Sequence, residues 1–165
     1  MSGVTFTELM RYTEMETAKW RTFLESAGPK ILEVEVDTAG MKDLRGVLLH
    51  IFAVELRYSE RLLEKDPVTA YEELPTGSLE ELFGIHAKAR ENFRTWLGQT
   101  NERDMGKVLT FPTRTAGTLT ASKRKCMAHA LLHSMRHWAQ VANTLRLRGH
   151  KQEWGHDFIL TDALE

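Results

Sequence analysis

The sequence predicts an all-α protein: a four-helix bundle with long crossover connections and a short irregular hairpin or lid before the last helix. Three observations predict it. Four stretches of roughly twenty to twenty-eight residues repeat apolar side chains at helical spacing. Stop and start signals punctuate them, namely Gly28-Pro29, Asp66-Pro67, the capping box Ser78-Leu-Glu-Glu81 and Gly149. Strand-like alternation is confined to short pieces with few partners.

The first helix is expected over about Phe6 to Ala27, with Phe6, Leu9, Met10, Thr13, Trp20 and Leu24 on its stripe. The stretch from Ile31 to Gly40 alternates in Leu-Glu-Val-Glu-Val and is read as a crossover loop rather than part of a sheet. A second helix is expected from about Met41 to Lys65, with Leu44, Val47, Leu48, Ile51, Tyr58 and Leu62 facing the core and His50 at the edge of that stripe. Glu55 falls near the stripe's centre, where a charge is out of place. It is either paired with an arginine across the bundle or part of a site. The third helix runs from Ser78 to about Gln99 on Leu79, Leu82, Phe83, Phe93 and Leu97, with His86 on the same face as a hydrogen-bonded core residue. From Asn101 to Ala121 helical periodicity disappears, and Val108-Leu-Thr-Phe111 with Thr115-Ala-Gly-Thr-Leu-Thr120 suggests the hairpin. The fourth helix is expected from about Ala121 to Arg148, and the tail Trp154-Gly-His-Asp-Phe-Ile159 packs back on the bundle.

The 165 residues form one domain, 1–165, large enough for a substantial core. A hydrophobic content of 42% and a net charge of -1 give no electrostatic footprint for nucleic acid or an anionic membrane. The lone Cys126 forms no internal disulfide, no apolar run reaches spanning length and no leader precedes Ser2, so the expected location is cytoplasmic.

Chemistry is concentrated in the fourth helix, where His129, His133 and His137 follow one another at i, i+4 steps. Neighbours at that spacing stack on one face and can grip a single ion. The outer pair is separated by roughly 12 Å of rise, too far to share it. On a helical wheel His137 lies roughly 80° from the centre of the apolar stripe, His133 roughly 120° and His129 roughly 160°. His133 and His137 therefore border the interior. His50, midway along the second helix, is the candidate third ligand. Three neutral imidazoles with open positions suit a catalytic zinc, and nickel also fits. The di-iron bundle variety requires Glu-x-x-His on two helices, a pattern the helical stretches lack.

Leu48-Leu-His50, His129-x3-His133-x3-His137-x2-Gln140, Leu145-Arg-Leu-Arg-Gly-His150 and Trp154-Gly-His-Asp-Phe-Ile159 together resemble the DinB/YfiT-like family across nearly the whole chain. Carried over, that family's metal triad falls on His50, His133 and His137, and His129 and Gln140 support it from behind. The family commonly has Arg-Gly where this chain has Trp138-Ala139. The resemblance implies a divalent transition metal, zinc or nickel, and metal-dependent activities: S-transfer from a low-molecular-weight thiol, mycothiol-dependent isomerisation, or hydrolysis. It also implies a stress-response setting, a small-molecule substrate and a homodimer. Glu55 is then the candidate catalytic residue, with Trp138, His86 and Arg90 as candidates for pocket wall, base or anion clamp. The competing class is a non-catalytic metal- or ligand-binding helical bundle, and an ionisable group at the metal's open face is what separates the two.

Overall fold

The computed structural model describes residues 3–38, 40–66, 70–74, 76–114 and 116–163. Ala39, Pro67 and Thr115, which figured in the expected loop, helix stop and hairpin, lie outside the described residues. The chain is mostly helical, with four long helices: α1 (Phe6–Ala27), α2 (Leu44–Leu62), α3 (Leu79–Gln99) and α5 (Lys123–Leu147). A short α4 (Glu102–Gly106) stands between α3 and α5. Two antiparallel pairs complete it: β1 (Glu35–Thr38) with β2 (Met41–Asp43), and β3 (Val108–Pro112) with β4 (Thr118–Ser122).

Local chemistry sets the helix ends. Thr5 and Glu8 form a reciprocal capping box at the start of α1, and Ser78 and Glu81 form another at α3. Each satisfies two orphan amides and contributes about 1 kcal/mol. Gly28 ends α1 at φ 82°, a conformation that costs glycine little. The expectation of a helix over Met41 to Lys65 is corrected at both ends. Asp43 accepts the Gly46 amide at 2.8 Å and caps α2, so Met41 and Lys42 are free to pair with β1. The stretch read as a crossover loop is thus partly strand. At the other end Glu64 adopts φ 57°, which stops α2 before Asp66. The segment expected to lack helix also holds α4, because Asn101 caps it by accepting from the Asp104 amide. The hairpin is present in simple register, Val108 opposite Ser122 through Pro112 opposite Thr118.

α2 packs against both α3 and α5, and α1 against α5 and α3. One core cluster holds Trp20, Leu24, Leu48, Ile51, Phe52, Trp138 and Leu145. The other holds Ala53, Leu56, Phe93, Trp96, Met127 and Leu131. Burying each such side chain is worth about 1.5–3 kcal/mol, so the two clusters hold the helices in place. Along α5 the clusters change over between Leu131 and Trp138, the segment that carries His133 and His137. The tail does pack back. Trp154 lies edge-on to Trp20 at 5.1 Å, its indole N–H donates to buried Glu16, and Tyr12 donates to the His156 carbonyl. No helix among the described residues is long and apolar enough to cross a membrane.

Candidate metal centre

His50 from α2 meets His133 and His137 from α5. His133 Nε2 lies 3.2 Å from His50 Nε2 and 3.2 Å from His137 Nε2. Ligand atoms of the three residues all fall within 4.8 Å of one another. Burial follows the wheel argument: His137 is 2% exposed, His133 half-buried and His129 exposed.

This convergence is awkward as hydrogen bonding. A ring nitrogen carries either one hydrogen or one lone pair in its plane, so His133 Nε2 cannot serve two other nitrogens. It is natural as coordination. An ion about 2.0–2.1 Å from each nitrogen, with bond angles between octahedral and tetrahedral, places the nitrogens about 2.8–3.4 Å apart, which the two separations at His133 match. The donor set therefore fits a late first-row ion. Electrostatics agree, since ligation requires neutral imidazoles. Burial, then the neighbouring His137 and His50, push His133 down to about 3. Burial and His50 push His137 down to about 4. His50 is also lowered, by burial first, with Arg57, Arg114 and Arg136 adding to it and Glu72 opposing it.

A model of the DinB family matches residues 1–161. The chain belongs to that family. A search of curated proteins finds no match. The resemblance read from the histidine motif is thereby established, and the DinB framework supplies helices α2 and α5 as the carriers of the three imidazoles.

The remaining sequence candidates are distributed as follows. His129 stacks between His133, at 5.4 Å between ring centres, and Tyr58, at 4.9 Å. Gln140 is close enough to His137 to favour its protonated ring. Yet buried Gln140 Oε1 and His137 Nδ1 have no hydrogen-bond partner among the described residues, so the contact is proximity and not a closed bond. Glu55 is fully buried and doubly engaged: Oε1 accepts from Arg90 at 2.6 Å, and Oε2 meets His86 Nδ1 at 2.7 Å. Arg90 also donates to Thr13 at 2.8 Å. Trp138 is 1% exposed, stacked on Trp20 at 4.9 Å and set against Phe52, so it belongs to the core and not to a pocket wall.

Sequence reasoning missed Glu72. It lies on the connection between α2 and α3, binds Arg57, and puts Oε1 3.9 Å from His50 Nδ1. No periodic signal marks a carboxylate in a polar link. Arg57 was detectable, because it sits two turns after His50 on the same helix face.

Proposed function

We propose that this DinB-family chain is a metal-dependent enzyme of the thiol S-transferase or hydrolase type, a four-helix bundle holding one zinc or nickel ion on His50, His133 and His137. The single observation that carries the reading is the meeting of three imidazoles in which His133 Nε2 lies 3.2 Å from both His50 Nε2 and His137 Nε2, a pattern that one ring nitrogen cannot satisfy by hydrogen bonding. Such an ion supplies Lewis acidity, lowering the pKa of a water or thiol brought to its open position. The protein's own groups do the rest. Glu72 lies on the Nδ1 side of His50 at 3.9 Å, beyond hydrogen-bond reach, and places negative charge behind that ring. Gln140 Oε1 is a matched acceptor for His137 Nδ1–H, both atoms being buried and otherwise unused. His129, packed on His133 and Tyr58, limits how far the His133 ring can turn.

The engagement of Glu55 by Arg90 and His86 supports its pairing role over a role as base. Glu72 is likewise held by Arg57. The absence of a free carboxylate beside the histidines among the described residues favours a second reading, a metal- or ligand-binding bundle of the stress-response type without turnover. The chain in either reading is a cytoplasmic homodimer that binds a small molecule. The chain's one cysteine, Cys126, is a free thiol, which supports a reducing compartment.

The deciding experiment loads purified protein with zinc or nickel and follows consumption of low-molecular-weight thiols with model electrophiles. Thiol transfer, or hydrolysis of activated esters, that disappears with chelator supports the enzyme. Stoichiometric metal without turnover supports the second reading.

A further inference from the structure

Charge around the three histidines is one-sided. Arg57 on α2 binds Glu72, and Arg114 on the β3–β4 turn reaches the same carboxylate at 3.4 Å. Arg136 stands on α5, three residues after His133 and directly before His137. It is exposed and makes no hydrogen bond or ion pair among the described residues. Arg57, Arg114 and Arg136 thus all weigh on His50, and Glu72 opposes them. The chain as a whole carries a charge of -1, so this excess is local.

Added positive charge beside a divalent cation is repulsive. Cationic side chains there are favourable only with an anion present. A guanidinium has five donors in a planar fork that matches carboxylate or phosphate. Arg114 spends a single contact among the described residues, and Arg136 spends none. Those two come from different elements, the hairpin and α5.

We propose that the open side of the histidine centre is an anion-binding pocket in which Arg136 and Arg114 clamp an oxyanion of the substrate. This rests on the metal-centre reading for its location and adds the substrate class: a small molecule bearing a carboxylate or phosphate besides its reacting group. Glu72 holds Arg57, and it keeps Arg114 near the pocket until the anion takes over the free donors. The hairpin is thereby a recognition element and not only a cover.

The test is calorimetric titration of succinate, inorganic phosphate and the uncharged control succinamide into chelator-treated and zinc-loaded protein. Wild type, Arg136→Glu, Arg114→Glu and Lys151→Glu are compared, the last carrying the same charge change on the C-terminal tail. Wild type and Lys151→Glu are expected to bind at least one anion saturably at millimolar concentration and to ignore succinamide. Each arginine variant is expected to bind that anion about tenfold more weakly, the loss of one charge-assisted contact, with zinc content unchanged. Preference between succinate and phosphate identifies the oxyanion. Absence of saturable anion binding in both protein forms, or equal binding by wild type and both arginine variants, overturns the clamp. Arginine-dependent anion binding by a chain that takes up no zinc keeps the clamp and overturns the metal centre. Zinc uptake with arginine-independent anion binding does the reverse.

Discussion

Glu55, His86 and Arg90 form a polar cluster that is nearly complete, whereas His50, His133 and His137 form one that is not. Both draw on α2, five residues apart along one helix. In the first, opposite charges and matched donors face each other, and Arg90 Nε is the one buried atom of the cluster that lacks a partner among the described residues. In the second, three like groups face each other, and His133 and His137 also leave Nδ1 unused. A folded chain tolerates unsatisfied buried nitrogens only at a cost, so the first cluster is read as a strut and the second as a socket.

The widest gap between the two clusters should appear in metal content. Elemental analysis of wild type is expected to give about one ion per chain, lost in His50→Ala, His133→Ala or His137→Ala. His129→Ala should weaken binding by only about 10–100-fold. Metal kept by His137→Ala but lost by His129→Ala would relocate the site to Cys126, His129 and His133.

Stability should show the opposite pattern. Arg90→Met leaves the Glu55 carboxylate buried without its counter-charge and is expected to cost about 3–5 kcal/mol in denaturant unfolding. Its metal content per folded chain should stay normal. A cost below about 1 kcal/mol would mean that Glu55 is not held by Arg90 in solution.

The clusters should also separate in pH. The histidines are lowered in the folded state, so between their unfolded value of about 6.5 and their folded values the unfolded chain binds more protons. Their contribution is present above about pH 6.5 and drains away as pH falls towards about 4 for His137 and about 3 for His133. Glu55 is lowered too, burial opposing and Arg90 and His86 prevailing, so its contribution is lost only below the ordinary carboxylate range. Melting curves with and without chelator should differ at neutral pH and converge below about pH 6. Chelated Arg90→Met should keep the upper pH step and lose the lower one.

The smallest effect is expected at Cys126, 1% exposed beside Met127 and Ala130. Cys126→Ser buries a hydroxyl at a cost of about 1–3 kcal/mol and should leave metal content untouched. Loss of metal in that variant would again point to the alternative site.

Helical periodicity and caps made α1, α3 and α5 legible in the sequence to within a few residues, because these depend on contacts three and four positions apart. The same local rule ranked His137, His133 and His129 by burial, and the spacing of the motif identified the family. Tertiary structure decided the rest. Whether Glu55 met an arginine or a substrate depended on how α3 is rotated to present Arg90 and His86. Whether Trp138 lined a pocket depended on Trp20, well over a hundred residues earlier, being there to stack on it. Met41–Asp43 became strand and not helix because β1 supplied a partner and Asp43 a cap. The meeting of His50 with His133, and of Glu72 with Arg57 and Arg114, joins segments whose spacing carries no period. Periodicity reports which face of an element is buried; only the packed fold reports what that face meets.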